Sequence, residues 1–179
     1  RQALELQLRH ALERGEFSLY VQPKVHAETL EVVGAEALLR WSNPTLGSVS
    51  PARFIPVAEE TGLIRPMGTW VLQQACGQLA QWHAQGFTAL TVSVNLSALQ
   101  LVDTGLVAQI QQCLQHHGIA PAALELEITE SVLMDNTSLA VEQLEALKTL
   151  GVQLSIDDFG TGYSSLAYLK RFAIDKLKI

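Results

Sequence analysis

Apolar residues at Leu4, Leu8, Ala11 and Leu12 recur at helical spacing, and Gly15 closes that opening segment. Residues 17–25 and 30–39 then read as two strands joined by a turn around 26–29. Pro51 opens a short helix through Phe54, Val57 and Ala58, and a longer one runs from 67 to 84 before Gly86. From there the pattern alternates. Strands are expected at 90–96, 124–128, 152–157 and 174–179, with helices at 106–117, 139–150 and 164–172 between them. Strand and helix in turn predict parallel βα units, six strands in all. Such a sheet either closes into an eight-stranded barrel or stays open with helices on both faces.

The two faces of the strands favour the barrel. Side chains alternate across a strand, so Thr91, Ser93 and Asn95 share one face while Val92, Val94 and Leu96 share the other. Glu125 and Glu127 oppose Leu124, Leu126 and Ile128; Gln153, Ser155 and Asp157 oppose Val152, Leu154 and Ile156; Lys176 and Lys178 share the last inner face. Parallel strands buried on both sides usually read as continuous apolar runs. Four strands with a polar face need somewhere wet or ionic to point it, and a barrel lumen opening into an active site is such a place.

Composition narrows the class. With 179 residues, 48% hydrophobic and 17% charged, the chain suits a folded domain with a sizeable core. No apolar run approaches the ~20 residues of a membrane helix. The formal charge of -6 argues against broad electrostatic binding to DNA or RNA, although bound cations would still admit a phosphate substrate. Cys76 and Cys113 lie far apart in helical stretches and read as buried free thiols of a reducing cytoplasm.

Active sites of such barrels sit at the carboxyl ends of the strands. There the chain offers Glu36, Asn95, Glu127, Asp157, Asp158 and Lys178. Five of these are hard oxygen ligands, which suit Mg²⁺ or Mn²⁺ rather than zinc or copper. Adjacent Asp157 and Asp158 can face two cations at once, and a two-metal site can activate a water and stabilise the leaving oxygen of a phosphodiester. Metal-assisted phosphoryl or carbonyl chemistry follows. The alternative, that each is a solvated strand-end carboxylate or a helix cap, serves any one of them but not the whole set beside a polar lumen. Trp41 reads as core packing ahead of a pocket wall. Ser164 and Ser165 lack the histidine and aspartate of a nucleophilic triad and suit a helix N-cap.

The segment EALLRW, Glu36 to Trp41, resembles the signature of the EAL domain family. QPKV at Gln22, FIPVAEETGLI from Phe54, SVNLS from Ser93, LEITES from Leu126, DDFGTGYSSL from Asp157 and DKLKI from Asp175 follow in that family's order. The resemblance spans the chain. It implies a TIM-type (β/α)8 barrel in which one of the first two strands runs antiparallel, and metal-dependent hydrolysis of cyclic di-GMP to linear pGpG. It also implies that Glu36, Asn95, Glu127 and Asp157 ligate one metal, and that Asp157 with Asp158 reaches a second. Lys178 would hold or polarise the attacking water. Arg40 would clamp a substrate phosphate, and Gln22 would contact the substrate. Glu130 would steady the loop from Phe159 to Ser165, where Gly160 and Gly162 permit unusual backbone angles.

The family continues past this chain by two strands, one bearing a further glutamate, so residues 1–179 are expected to be a C-terminally incomplete EAL domain. The last strand is then expected to be an exposed edge that destabilises the isolated segment or pairs it with another copy. Expected partners are cyclic di-GMP, a second copy in a homodimer, and other signalling domains, GGDEF or sensor modules, in the same parent chain. No nucleic-acid or membrane contact is expected of the segment, and a bacterial cytoplasmic location is. An EAL-type receptor that binds cyclic di-GMP without cutting it is the alternative function; intact metal ligands favour the hydrolase.

Overall fold

The computed structural model describes residues 1–134, 138–157, 160 and 174–178. Helix α1 (Gln2–Ala11) buries Leu4, Leu8 and Ala11, the stripe that the spacing predicts. Strands β1 (Phe17–Val25) and β2 (Val32–Asn43) pair antiparallel, with Phe17 opposite Trp41 and Gln22 opposite Glu36. A short strand β3 (Gly47–Val49) folds back on the end of β2. Helix α2 (Pro51–Thr61) starts on Pro51, whose missing N–H costs nothing at a first turn, and ends where Gly62 turns left-handed at φ 80°.

Beyond this come α3 (Ile64–Ala84), β4 (Thr91–Asn95), α4 (Ala98–Leu101) and α5 (Leu106–His117). The chain continues through β5 (Leu124–Thr129), α6 (Glu130–Met134), α7 (Ser138–Leu150), β6 (Gln153–Asp157) and β7 (Lys176–Leu177). The strands line up as β1-β2-β4-β5-β6-β7, with β3 on β2. From β2 to β7 along that row every pairing is parallel, so β1 is the reversed strand.

The helices cover one face of this sheet. Val92, Val94, Leu126, Ile128, Leu154 and Ile156 on the strands share a buried cluster with Leu72, Leu79, Ile110, Leu144 and Leu147 on the helices. Ser93, Glu125, Glu127 and Ser155, on the opposite face, are also buried. Parallel strands with helices outside and a polar layer inside make an α/β barrel wall of the TIM type. A second cluster joins α1, α2 and the β1–β2 hairpin around Phe17, Trp41 and Phe54. The Trp41 and Phe54 rings meet edge-on at 5.7 Å, and Trp41 Nε1 donates to Glu16 Oε1 at 3.0 Å, which places Trp41 in the core.

Some expectations shift. The described residues contain seven strands rather than six. The second strand runs on to Asn43 because its Oδ1 accepts the N–H groups of Thr45 and Leu46, both at 2.9 Å, and so turns the chain back into β3. Helix α3 begins three residues earlier than its periodicity suggests. Helices α4 and α6, too short to show a period, are added. Cys76 and Cys113 are buried free thiols, as expected. The helix expected at 164–172 lies outside the described residues, as do Asp158 and Ile179.

Gly34 on β2 is required by close approach rather than by a turn. It lies opposite Thr91 on β4, and a Cβ at this position would come within 2.7 Å of the Thr91 carbonyl oxygen. Gly34→Ala is expected to force the β2–β4 seam apart and to destabilise the fold by ~1–3 kcal/mol in urea unfolding, the usual cost of overpacking. An unchanged unfolding midpoint would show that the seam yields freely.

Candidate active site

Two polar layers fill the inner face of the sheet. The lower one centres on Glu125, which is only 2% exposed. Ser93 Oγ donates to its Oε2 at 2.6 Å, Lys24 Nζ donates to the same oxygen at 2.9 Å, and Lys176 Nζ lies 2.9 Å from Oε1. Strand alternation aims all four side chains inward from β1, β4, β5 and β7. Burial disfavours the Glu125 carboxylate, but the bonds from Lys176, Lys24 and Ser93 outweigh it and hold its pKa down at about 2.

The upper layer gathers Glu36, Glu127 and Asp157. Each offers a carboxylate oxygen, and the three oxygens lie within 4.8 Å of one another. Register explains the convergence: Glu36 on β2 aligns with Ser93, Asn95 at the end of β4 aligns with Glu127, and Asp157 ends β6. Asn95 Nδ2 approaches Glu36 Oε1 at 3.5 Å. Lys178 follows β7; its backbone N–H donates to the Ile156 carbonyl at 2.8 Å, and just before β7 Asp175 accepts from Leu154 N at 2.8 Å. Lys178 Nζ donates to Glu127 Oε1 at 3.0 Å and lies 3.6 Å from Glu36 Oε1.

Burial raises the Glu127 pKa and the adjacent Glu36 carboxyl raises it further, against the opposing pull of Lys178 and Lys24. Burial opposes the charge of Lys178, but Glu127, Glu36 and Asp157 prevail and raise its pKa. Glu127 Oε1 accepts from both Lys24 and Lys178, whereas Glu127 Oε2 is buried without a hydrogen bond. A buried carboxylate oxygen with no donor, among carboxylates this close, fits a hard divalent cation.

Two cavities flank this cluster. One of about 380 Å³ is lined by Leu38, Arg40, Ile55, Met67, Asn95 and Ser97 among others. There the Arg40 guanidinium lies over the Tyr20 ring, 5.6 Å from its centroid. The other, about 520 Å³ and more open, lies between β1 and β7 and is lined by Gln22, Lys24, Glu36 and Lys178. Arg40 thus lines the first cavity and Gln22 the second. Glu130, at the start of α6 and 2% exposed, accepts the Gly160 N–H on Oε2 at 3.0 Å. Asp158 lies outside the described residues.

The sequence matches the EAL domain over residues 5–179. The chain belongs to the EAL domain family. It is 48% identical over 172 residues to MucR of Pseudomonas aeruginosa, a bifunctional diguanylate cyclase/cyclic di-GMP phosphodiesterase, covering 96% of this chain and 25% of that protein. It is 46% identical over 176 residues to NbdA of the same organism, a cyclic di-GMP phosphodiesterase, covering 98% and 22%. The solved MucR phosphodiesterase complex with c-di-GMP superposes on 99% of this chain and 72% of that one, with a TM-score of 0.94 at 47% identity. The EAL chain described here thus spans about a quarter of the length of the curated relatives it matches.

Within the EAL fold, sequence reasoning found the upper layer and overlooked how the lower one is wired. Glu125 and Lys176 were legible as inward-facing, but their meeting with Lys24 and Ser93 was not, because 69 residues separate Lys24 from Ser93 and 101 separate it from Glu125. Two histidines outside the cluster, His26 and His83, which no sequence pattern pairs with a partner, also have contacts. His26 Nδ1 accepts from Glu28 N at 3.3 Å inside the turn, and His83 Nε2 meets the Leu90 carbonyl at 2.9 Å.

Because the Glu125 pKa falls from 4.5 to about 2 on folding, its ionised form stabilises the fold fully above pH 4.5, and this is lost as pH drops toward 2. The contribution is ~3 kcal/mol. Urea unfolding across that range is expected to show a steep acid loss that Glu125→Gln flattens; equal slopes would contradict the pairing.

Proposed function

We propose that this chain hydrolyses cyclic di-GMP to linear pGpG. The observation that carries the reading is the convergence of Glu36, Glu127 and Asp157 within 4.8 Å, beside Lys178 and the Arg40 cavity. Kinship to named cyclic di-GMP phosphodiesterases supports the substrate.

Glu36, Asn95, Glu127 and Asp157 would hold a hard divalent cation, Mg²⁺ or Mn²⁺, and Asp157 with Asp158 would reach a second. Such cations supply an acidified water and charge stabilisation at the departing oxygen. The chain's own residues do the remainder. Arg40, half-buried at the cavity wall, presents a fork of donors suited to one phosphodiester, and Gln22, opposite Glu36 on β1, contacts the substrate. Lys178 Nζ, held by Glu127, donates a hydrogen bond to the attacking water and stabilises charge as it develops. The water oxygen bonds to phosphorus as the bond to the ribose 3′ oxygen breaks; the water gives up one proton to solvent, and the departing oxygen takes one from solvent and leaves as the 3′ hydroxyl. Glu130 holds the Gly160 N–H three residues after Asp157; the rest of the segment expected to depend on it, 159 and 161–165, lies outside the described residues. A homodimer and attachment to GGDEF or sensor domains belong to the same proposal, and sedimentation of the intact protein tests the first. Among the described residues no helix is long and apolar enough to cross a membrane.

Linear product formation from cyclic di-GMP in the intact protein tests the reading. Turnover is expected with Mg²⁺ or Mn²⁺, little with Ca²⁺, whose geometry is looser, and none after chelation. Binding without product in all three metals would make the chain a receptor instead.

Four substitutions separate the roles. Glu36→Ala or Asp157→Ala is expected to abolish hydrolysis. Lys178→Ala is expected to lower kcat by ~10²-fold with modest change in KM. Arg40→Ala should chiefly raise KM, since its phosphate is present before and after reaction. A collapse of kcat at unchanged KM in Arg40→Ala would reassign that residue.

A further inference from the structure

Lys24 belongs to neither the ligand set nor the substrate contacts, yet its ammonium group reaches three side chains of the lumen. It donates to Ser93 Oγ, to Glu125 Oε2 at 2.9 Å and to Glu127 Oε1 at 3.1 Å. It thereby links the reversed strand β1 to β4 and β5 and spans both polar layers. We propose that Lys24 is a positioning residue for the cation site: by sharing Glu127 Oε1 with Lys178, it fixes the rotation of that carboxylate and leaves the unbonded Oε2 free to hold a cation. The inference rests on the metal-dependent reading given above.

Geometry supports a positioning role over simple neutralisation. Glu125 already has Lys176 at 2.9 Å and Ser93 at 2.6 Å, so Lys24 is not its sole partner. Glu127, by contrast, accepts only on Oε1, from Lys24 and Lys178. The two side chains are similarly exposed, 27% for Lys24 and 32% for Lys178, but Lys178 follows a two-residue strand. Lys24 lies within the nine-residue strand β1, whose pairing to β2 brings Gln22 opposite Glu36. The stiffer of the two tethers is thus Lys24. Partners behind a metal ligand orient it, and losing one typically costs about 10–100-fold in metal affinity or activity.

Removing Lys24 alone would confuse two effects, because deleting a positive charge near a cation site favours the cation while loss of orientation opposes it. The decisive variant is therefore the charge-neutral double substitution Lys24→Met with Glu125→Gln. Mn²⁺ binding to the intact protein, measured by calorimetry and by the electron paramagnetic resonance of free Mn²⁺, is the readout. An affinity about 10–100-fold weaker than the parent's, with near-ultraviolet circular dichroism retained, is expected. Lys24→Arg, which keeps a donor to both carboxylates, is expected to restore most of the affinity. If the double variant does not fold, Lys24→Met with Glu125→Met replaces the pair by apolar groups of similar length and serves the same comparison. Parental Mn²⁺ affinity in a folded double variant would overturn the positioning role while leaving the hydrolase reading intact. A parent protein that binds no Mn²⁺ would overturn both.

Discussion

Carboxylates crowded into a space with little water govern this structure. Glu125 and Glu127 are almost wholly buried, and Glu36 and Asp157 share the upper cluster with Glu127. Each unpaired buried charge would cost several kcal/mol, so the fold must deliver compensating cations to fixed points. Lys24 and Lys176 meet that need from two strands that bracket the sheet, β1 at one end and β7 at the other, and Lys178 from just beyond β7. The same compensation is incomplete at the top, where Glu127 Oε2 has no donor and three carboxylate oxygens converge. The lower layer is closed by protein charges; the upper one is open to a cation.

The reversed direction of β1 is tied to this arrangement. A hairpin between β1 and β2 puts Gln22 opposite Glu36 and sends Lys24 down the same inner face. A parallel first strand would need a crossover connection of a dozen or more residues, whereas the hairpin needs only the turn around His26. The turn is self-sustaining, with His26 N donating to Glu31 O and Leu30 N to His26 O, both at 2.8 Å. Behind the hairpin the aromatic cluster of Phe17, Trp41 and Phe54 anchors it against α2, and Arg40, next to Trp41 in the chain, points the other way into the cavity. Alternation along one strand thus sets a rigid core residue beside a substrate-facing one.

The ends of the strands are where the chain spends its capping interactions. After β4, Ser97 and Gln100 form a reciprocal cap, Ser97 Oγ taking the Gln100 N–H at 3.3 Å and Gln100 Oε1 the Ser97 N–H at 3.0 Å. After β5, Glu130 opens α6 and reaches Gly160 beyond β6. Before β7, Asp175 is gripped by Lys148 of α7 at 2.7 Å. Glu130 lies three residues after Glu127, Gly160 three after Asp157, Asp175 one before Lys176 and Ser97 two after Asn95, so side chains in the site inherit the stiffness of the caps.

Much of this was legible in the order of residues. Alternating strands and helices, a polar inner face and oxygen ligands at strand ends are local patterns, set by the two-residue period of strands and the chemistry of carboxylates. The EALLRW and DDFGTGYSSL runs carried the family, and with it the roles expected of Arg40, Gln22 and Glu130. What only the tertiary structure decided is pairing across long separations. That Lys24 divides its donors between Glu125 and Glu127, that Arg40 and Gln22 face separate cavities, and that Asn43 bends β2 back into β3 depend on register between strands and on which rotamers fit a filled lumen. A sequence specifies which face a side chain takes, but the partner it meets there is fixed only when the sheet curves and brings β1 and β7 toward the same carboxylates.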